Sequence, residues 1–367
     1  MISRIKSIIL NLIAIVNITV IALMLISGYS DHLNPGHSDI LACAGMAFPI
    51  FMLANLLFVP VWVLLSWRRL IIPVVGFALA YVPIRIYMPL HGKPDIGDDA
   101  LLVMSYNVCC YGGNNKYDKG FDTIYNYLKA QKPDIVCLQE VSPAKPMDTQ
   151  KQMARLFTYN DTTQVSSYAK GSVNSLGIST RFPILRKERI NYESNANGSV
   201  VYYLLIDGDT VAVVNNHLEA THLNTIDRTR YQEMLDGGVE RDTMKAETTH
   251  LIHKLAEGMR IRALQADIVH NFVDSLQRHY PVIVCGDFND TPISYCRQRI
   301  AGGLTDCFVE SGQGLGLSFN RRGFNFRIDH MMCSSHFTPY YCKIDDEMDA
   351  SDHYPLLCWL KSLKKVQ

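Results

Sequence analysis

Residues Ile283–Asp290, IVCGDFND, carry an apolar run into a glycine, two carboxylates and an amide. The first three residues predict a buried strand, because short apolar runs bounded by turn residues are typical of core strands. Gly286 and the polar residues after it are also what an ordinary turn contains, and this stretch alone favours a turn. Open α/β sheets, however, bind ligands at the carboxyl ends of their strands, so the same residues are candidates for an oxygen-rich site.

The same pattern, an apolar run that ends at a polar side chain, recurs between residues 100 and 362. The polar residues at or beside these strand ends are Asn107, Glu140, His217, Asp287, Asn289, Asp329, Asp352 and His353. A single polar strand end is explained by an ordinary turn, but many polar strand ends in one domain predict that their side chains form one polar rim. Carboxylates and amides suit a hard cation such as Mg²⁺, and imidazoles suit proton transfer or phosphate contact.

Motifs and charge argue against several functional classes. The sequence has no CxxC or HExxH spacing for zinc, no Gly-Lys loop for nucleotide phosphates and no GxSxG elbow of a serine hydrolase. Residues 91–367 contain 30 Lys and Arg against 33 Asp and Glu, a net charge of −3. This balance argues against a dedicated nucleic-acid-binding surface, although it leaves room for a local basic groove.

The first 90 residues predict a membrane anchor. Three apolar runs lie at residues 8–26, 40–66 and 70–87. A transmembrane helix needs about 20 apolar residues, so we expect about three spans within residues 1–90. A cleaved signal peptide is the alternative for the first run, but that run is too long and two more follow it. Pro73, Pro83 and Arg85 interrupt the third run.

The basic residues around the apolar runs predict the orientation of this anchor. Those near the first two runs are Arg4, Lys6, Arg68 and Arg69, whereas the loop at 27–39 contains no Lys or Arg. The positive-inside rule places the N-terminus and the Arg68–Arg69 turn in the cytoplasm. Three spans then place a linker, 91–99, and a domain, 100–367, on the non-cytoplasmic side of an integral, multi-pass protein. Without the third span, the domain would lie on the other side.

Hydrophobic periodicity in residues 100–367 predicts an α/β domain. Strands and helices alternate early and strands cluster later, which is typical of layered α/β folds. Helical spacing of apolar residues predicts a helix before Pro281, marked by Leu264, Ile268, Phe272 and Leu276. Residues 218–262 are long and charged, which predicts a solvated helical excursion or, alternatively, a lid beside the site.

Cysteine usage favours free thiols. Nine of the ten cysteines follow residue 90. Cys137, Cys285 and Cys358 lie in apolar, strand-like runs, which favours buried thiols over a disulfide framework.

Seven short motifs follow one another between roughly residues 100 and 362. They are VMSYNV, DIVCLQEV, SLGISTRFPI, VVNNHLE, VIVCGDFND, FRIDHMM and SDHYPL. Their content and order resemble the endonuclease/exonuclease/phosphatase superfamily. That family includes pancreatic deoxyribonuclease, exonuclease-III-like abasic-site endonucleases, neutral sphingomyelinases and inositol polyphosphate 5-phosphatases. The resemblance implies a four-layer α/β sandwich, with two mixed β-sheets face to face and helices outside, here preceded by N-terminal transmembrane helices.

The resemblance also implies a metal site within the rim. Glu140 resembles the family's principal Mg²⁺ ligand, and Asn107 resembles a second group at that metal. Asp352 resembles the acid beside the metal. Mg²⁺ is therefore the expected cofactor, with Mn²⁺ as the alternative.

Catalytic groups follow from the same resemblance. Asp287 resembles the carboxylate that orients or deprotonates the attacking water, with Asn289 beside it holding a phosphate oxygen. His217 and His353 resemble two phosphate-contacting imidazoles, and Asp329 resembles the carboxylate that pairs with His353.

Residues near the motifs have weaker parallels. Asn174 lies where relatives place a phosphate-contacting polar residue, with a structural turn as the alternative. Strand-end capping explains Asn215 and Glu219. Arg262 and Gln265 are expected on a solvated helix face, with support of the rim from behind as the alternative.

His330 departs from the family pattern. Relatives more often carry an aromatic or apolar residue there, so we expect His330 to be structural.

Together these features predict a membrane-tethered, divalent-metal-dependent phosphoesterase that hydrolyses a phosphodiester by metal-assisted attack of water. The substrate stays open between a phospholipid headgroup, which the tether favours, and a nucleic acid, because a superfamily does not fix its substrate. The sequence lacks the WCDR-type segment expected of inositol polyphosphate 5-phosphatases. The alternative is a catalytically silent binding or scaffold protein on the same fold. The expected partners are the lipid bilayer, through residues 1–90, and the substrate, and no protein partner is indicated.

Overall fold

The computed structural model describes residues 2–97, 99–112, 120–141, 146–167, 173–194, 196–221, 223–238, 240–321 and 324–362. Its helices are α1 (Ile2–Gly28), α2 (Asp39–Cys43), α3 (Phe48–Leu65), α4 (Ile71–Leu79), α5 (Tyr81–Tyr87), α6 (Cys109–Gly112), α7 (Gly120–Gln131), α8 (Pro146–Leu156), α9 (Thr225–Leu235), α10 (Arg241–Gln277), α11 (Tyr295–Ala301) and α12 (Cys307–Ser311). Its strands are β1 (Leu101–Asn107), β2 (Ile135–Gln139), β3 (Tyr159–Ser167), β4 (Val173–Thr180), β5 (Ile184–Ile190), β6 (Gly198–Ile206), β7 (Asp209–His217), β8 (Val282–Asp287), β9 (Thr305–Asp306), β10 (Phe319–Arg321), β11 (Phe324–Phe326), β12 (Asp329–Cys333), β13 (Phe337–Ile344) and β14 (Leu356–Ser362).

The N-terminal helices include spans of membrane length. Residues Arg4–His32 and Asp39–Leu65 are each long and apolar enough to cross a membrane. Trp67–Leu79 and Tyr81–Tyr87 meet the same criterion only together and are bent by 62°. The described residues therefore contain two such helices, or three if the bent pair is one span.

The bend between α4 and α5 has a local cause in the sequence. Pro83 has no N–H to donate to the carbonyl four residues earlier, at Leu79, so the helix breaks there. Tyr29 Oη, at the end of α1, donates to Leu79 O at 2.8 Å. The carbonyl that the proline leaves without a helical partner is thus satisfied by another helix.

Polar side chains also tie the apolar helices together. Asn17 of α1 donates to Asn55 Oδ1 of α3 at 2.9 Å, and Trp62 Nε1 donates to Asn17 Oδ1 at 2.8 Å. Asn55 Nδ2 donates in turn to Pro73 O of α4 at 3.2 Å. Such interhelical hydrogen bonds stabilise helix association where the surroundings offer no other polar partner.

Two six-stranded mixed sheets pack face to face behind this bundle. Their strand orders are β13-β14-β1-β2-β4-β3 and β5-β6-β7-β8-β12-β9. Each contains one parallel pair, β1 with β2 and β7 with β8. Val103 and Ile283 belong to the core between the sheets. Ile124 of α7 packs on the outer face of the first sheet, and Val269 of α10 packs on that of the second. The predicted four-layer sandwich is confirmed.

Strand register brings the polar strand ends to one edge. Asn107 pairs with Gln139 at the ends of the parallel strands β1 and β2. His217 pairs with Asp287 at the ends of the parallel strands β7 and β8, and Asp329 begins β12 opposite Asp287. Parallel strands end at the same edge of a sheet, so side chains far apart in sequence meet there.

Gly286, within the IVCGDFND stretch, is required by the strand rather than by a turn. Its φ is +138°, and a β-carbon there would lie 2.0 Å from Asn216 O on β7. Only glycine accepts both the conformation and the close approach. The glycine therefore lets β8 pair with β7 right up to its polar end.

The thiols are as predicted. All ten cysteines are free, and Cys137, Cys285 and Cys358 are buried in the core between the sheets.

The described part of residues 218–262 contains α9 and the first half of α10, a helix of 37 residues. The helix predicted before Pro281 is confirmed, although Leu264 and Ile268 are 67% and 41% exposed. The buried face of α10 beside these two residues includes Ala263 and Ala266. These small side chains let α10 lie close to the second sheet.

The N-terminal helices pack directly on the sandwich domain. Gly45, between α2 and α3, approaches so closely that a β-carbon there would lie 2.0 Å from Ile293 O. Asp39 of α2 pairs with Arg260 and lies 2.7 Å from His253 Nδ1, both on α10. The two parts of the chain therefore share one interface.

Replacing Gly45 by alanine is expected to destabilise the protein by about 1–3 kcal/mol, because the added methyl group must displace the Ile293 backbone. Gly92→Ala is the matched control, since nothing lies within 4 Å of a β-carbon at Gly92. Thermal unfolding of the full chain in detergent should show a lower Tm for Gly45→Ala alone. Equal Tm values for the two variants would contradict the close contact.

Candidate active site

A buried pair, His353 and Asp329, forms one part of the rim. His353 Nδ1 lies 2.8 Å from Asp329 Oδ2, and both side chains are almost fully buried. Burial lowers the pKa of His353, but the charges of Asp329 and Asp287 outweigh burial and raise it to about 10. The imidazole is therefore cationic at neutral pH, donates Nδ1–H to Asp329 and keeps Nε2–H for the cavity.

Two serines that the sequence analysis did not single out hold this pair in place. Ser351 Oγ donates to Asn107 O at 2.7 Å and accepts a bond from His353 N at 3.3 Å. Ser318 Oγ accepts a bond from Asp329 N at 3.0 Å. The backbone on both sides of the pair is thus fixed to neighbouring strands.

Asp287 lies at the centre of the rim. Its Oδ2 is 3.7 Å from His217 Nε2, 3.6 Å from His353 Nε2 and 3.0 Å from Asn107 Nδ2. Its Oδ1 accepts a bond from Asn289 N at 2.8 Å. Burial raises the pKa of Asp287, while the nearby histidines and Asn107 act in the opposite direction. The carboxylate is therefore well placed to take up a proton.

His217 is held as a neutral imidazole. Burial lowers its pKa, although the charge of Asp287 partly compensates. Asn174 Nδ2 donates to Ala196 O at 2.7 Å and lies 3.4 Å from His217 Nδ1. An amide donor at Nδ1 places the ring proton on Nε2, which faces Glu140 Oε1 and Asp287 Oδ2 at 3.7 Å each. Asn174 thus orients His217 rather than simply forming a turn.

Glu140 and Asp352 bring two further carboxylates next to these groups. Burial raises the pKa of Glu140, and the charge of Asp352 adds to the effect. Burial opposes ionisation of Asp352 too, but His353 and Arg321 hold its pKa below the usual range. Arg321 Nε donates to Asp352 Oδ2 at 2.8 Å.

Asn107 joins the two carboxylate groups as a hydrogen-bond donor. Its Nδ2 lies 3.2 Å from Glu140 Oε1 and 3.0 Å from Asp287 Oδ2, while its Oδ1 accepts from Cys109 N at 3.1 Å. A metal-ligand role for the carbonyl oxygen would require the amide to turn and to give up the Cys109 bond. This arrangement differs from the role that the sequence suggested.

Potential metal ligands also occur on the histidine side. Among the residues that the structure describes, the ligating atoms of Asp287, Asp329 and His353 lie within 4.8 Å of one another, and no other such group of His, Cys, Asp or Glu is found. Nδ1 of His353 is already bonded to Asp329 in that trio. Glu140 and Asp352 stand beside the trio and are not part of it.

Two rim residues have left-handed backbone conformations, with φ of +54° at Glu140 and +52° at Asn289. Such values are uncommon outside glycine and concentrate at functional sites. They turn the chain sharply just past β2 and β8. Asn289 Nδ2 donates to Leu218 O at 3.0 Å, which leaves its second N–H for another acceptor.

Arg262 and Gln265 are buried behind the rim, so the expectation of a solvated face was wrong. Arg262 is fully buried, with Nε 3.2 Å from Asp290 Oδ2 and Nη1 2.9 Å from Glu219 O. Gln265 Oε1 accepts from Glu219 N at 2.9 Å. These bonds fix the chain after β7 to the chain after β8.

Asn215 and His330 are structural. Asn215 Nδ2 donates to Leu138 O and Gly177 O at 3.0 Å each, which links the two sheets. His330 Nε2 lies 2.9 Å from Asp290 O, and burial lowers its pKa to about 4. The prediction of a structural His330 agrees with these contacts.

A cavity of about 280 Å³, the site cavity, opens above these groups. Its polar lining includes Glu140, His217, Asp287, Asn289, Asp352, His353, Arg228 and Arg321. Its apolar lining includes Met46, Leu223, Leu255, Met259, Phe319, Phe326 and Ile328. Sequence reasoning missed both arginines. Arg321 is the last residue of β10, and Arg228 follows Asp227 of the capping box of α9, so neither stands at a strand end that the apolar runs had marked.

Comparison with protein families identifies two regions of the chain. Residues 104–353 match a family model described as the Endonuclease/Exonuclease/phosphatase family. Residues 10–87 match a model described as a domain of unknown function. No curated protein matches the chain.

Solved structures share the fold at low sequence identity. The human Nocturnin catalytic domain with bound sulfate has a TM-score of 0.54 at 18% identity, covering 74% of this chain and 97% of that one. D. rerio TDP2 complexed with a single-strand DNA product has a TM-score of 0.52 at 15% identity, covering 72% and 100%. A Bacteroides thetaiotaomicron mannosyl-6-phosphatase has a TM-score of 0.51 at 17% identity, covering 71% and 99%.

These similarities to solved structures show the fold alone. The family match is more specific, because it extends from β1 to His353 and so includes every rim residue described above. The chain belongs to the Endonuclease/Exonuclease/phosphatase family.

Proposed function

We propose that the protein is a membrane-anchored, divalent-cation-dependent phosphodiesterase. Its family consists of enzymes that hydrolyse phosphoester bonds. The observation that carries the proposal is the position of Asp287, whose Oδ2 lies 3.7 Å and 3.6 Å from Nε2 of His217 and His353. A carboxylate between two imidazoles in a cavity can hold a water molecule against a phosphoryl group and accept its proton.

Each neighbouring side chain then has one task. Asp287 orients the water and takes its proton. Cationic His353 donates Nε2–H to a phosphoryl oxygen, and Asp329 keeps the ring charged and fixed. Neutral His217 donates Nε2–H, and Asn289 donates its remaining N–H, to the other oxygens. These donors stabilise the negative charge that grows on the phosphoryl group in the transition state.

Glu140 and Asp352 are proposed to hold the cation, which is Mg²⁺ or alternatively Mn²⁺. The charge of Asp352 raises the pKa of Glu140, and a hard cation stabilises such a pair of neighbouring carboxylates. When bound, such an ion supplies positive charge to a phosphoryl oxygen. Asn107 positions Glu140 through its amide nitrogen.

The proposed topology has three spans and a non-cytoplasmic sandwich domain. Arg69 donates to Asn11 Oδ1 at 2.7 Å, so the basic turn lies beside the N-terminal half of α1. Asp31, just past the end of α1, lies 3.9 Å from Arg297 of the sandwich domain. The basic turn therefore lies beside the N-terminal half of α1, and the domain lies beside its C-terminal end. The positive-inside rule then places the domain outside the cytoplasm.

A silent scaffold on the same fold is the second candidate. It would not need the buried charged groups, because each costs stability unless it is paired. The chain nevertheless contains the His353–Asp329 pair and places Asp287 between two imidazoles. These buried charged groups favour the enzyme over the scaffold.

Replacing Asp287 by asparagine is expected to lower the rate at least about 100-fold, because the group that orients and deprotonates water is lost. The assay uses the full chain in detergent with Mg²⁺ and bis-p-nitrophenyl phosphate. Asp274→Asn, at a half-exposed carboxylate on α10, is the matched control. EDTA should abolish the wild-type rate. A wild-type rate in Asp287→Asn would remove that residue from the mechanism.

Replacing Glu140 by glutamine is expected to raise the Mg²⁺ concentration for half-maximal rate at least about tenfold. A charged ligand is lost while the shape of the side chain is kept. A Mg²⁺ titration of this variant and of Asp329→Asn separates the two possible ion sites. A larger shift in Asp329→Asn would instead assign the ion to the trio of Asp287, Asp329 and His353.

Replacing Asp329 by asparagine is also expected to move the alkaline limb of the pH profile to lower pH. Burial lowers the pKa of His353, and Asp329 is the largest of the charges that raise it to about 10. The wild-type cation therefore persists until the pH rises through that value. Without Asp329, the pKa falls toward its ordinary 6.5, and the cation is lost near neutrality. The profile of kcat/KM against pH checks this, and an unshifted limb would contradict it.

A further inference from the structure

The site cavity has an apolar wall to which the anchor contributes. Met46, between α2 and α3, lines the cavity together with Leu255 and Met259 of α10. Phe319 and Phe326, from the β10–β11 hairpin, line it as well. The wall therefore combines three parts of the chain, and one of them belongs to the helix Asp39–Leu65, which is long and apolar enough to cross a membrane.

Specific contacts hold Met46 at this position. Its neighbour Gly45 touches the backbone of Ile293, as described above. Asp39 pairs with Arg260, one residue after Met259, so the anchor and α10 are joined beside the wall. These contacts make Met46 a fixed part of the cavity rather than a chance neighbour.

Two arginines give the cavity positive charge as well. Arg321 Nε donates to Asp352 Oδ2 at 2.8 Å. Arg228 is half-buried, and burial and the charge of Arg321 lower its pKa, while Asp352 and Glu140 act in the opposite direction. Two guanidiniums beside the proposed ion site suit an anionic group, because guanidinium recognises phosphate oxygens. The cavity is thus amphipathic, because it is lined by two arginines and by apolar side chains.

We propose that the substrate is a membrane amphiphile, a phosphoester that carries a long alkyl chain. This inference rests on the proposed function and names its substrate class. The phosphate lies at the Asp287 end, and the first methylenes of the chain lie against Met46, Leu255 and Met259. The chain continues toward the bilayer along the start of the second span.

A nucleic acid fits these features less well. Strand-binding grooves track several phosphates with a row of cations and stack bases on aromatic faces. The site cavity is compact, about 280 Å³, and part of its wall comes from the anchor. The sandwich domain and linker together carry a net charge of −3. A single headgroup with a chain attached matches this shape and charge.

The test compares methyl p-nitrophenyl phosphate with dodecyl p-nitrophenyl phosphate on the full chain with Mg²⁺. In both esters water adds to phosphorus, the P–O bond to the aryl group breaks and p-nitrophenolate leaves, so only the alkyl chain differs. Each methylene removed from water contributes up to about fourfold in kcat/KM. We expect kcat/KM for the dodecyl ester to exceed that for the methyl ester at least about tenfold, below its micelle concentration.

Variants separate the wall from simple partition into detergent or lipid. Met46→Gln and Met259→Gln are each expected to lower the dodecyl-to-methyl ratio at least about threefold, because a polar side chain then faces the alkyl chain. Leu264→Gln, at an exposed apolar side chain on the same helix as Met259, is the matched control and should keep the wild-type ratio.

The outcomes separate the amphiphile proposal from the proposed phosphodiesterase activity. Hydrolysis of the two esters at equal kcat/KM would overturn the amphiphile proposal and leave the phosphodiesterase intact. A chain-length preference that neither wall variant alters would also overturn the amphiphile proposal. Faster cleavage of a single-stranded DNA oligonucleotide than of the dodecyl ester would overturn it as well. Failure to hydrolyse either ester with Mg²⁺ would overturn the proposed function and this inference together.

Discussion

The buried carboxylate of Asp287 is the constraint on which the rest of the site depends. Burying a charge is costly unless it is paired and hydrogen-bonded. Asn107, Asn289 and the two histidines supply that compensation, and they come from four different stretches of the chain. The chain must therefore bring together the ends of strands β1, β7 and β8 and the loop before β14. The sandwich topology makes this possible, because two parallel pairs end at the same edge.

The rim could be predicted from the sequence because each polar residue follows or precedes an apolar run. A strand end is visible in a single sequence, and its polar side chain marks where the core stops. His217, Asp287 and Asp329 could therefore be grouped by sequence pattern alone. Their pairing could not be derived in the same way, since it depends on strand register between residues up to 70 positions apart in the chain. The resemblance to a family supplied that part.

Other features were outside the reach of sequence patterns for physical reasons. Arg262 is a charged residue on a helix, and such residues are almost always solvated unless a partner is buried with them. Its partner, Asp290, is 28 residues away. Gln265 on the same helix is buried for the same reason, because its partner, Glu219, is 46 residues away. The left-handed backbone at Glu140 could not be predicted from its residue type. This conformation is more often adopted by glycine or asparagine than by glutamate.

The contact between Gly45 and Ile293 has a consequence for how such a protein can change over generations. An anchor that only tethers a domain can be exchanged for any other hydrophobic segment. Here the N-terminal segment supplies Met46 to the site cavity and meets the domain backbone without space for a side chain. A substitution in the N-terminal segment at this contact therefore has to be matched by a substitution in the domain. We expect the two segments to be inherited as one unit, with compensating changes concentrated where they touch.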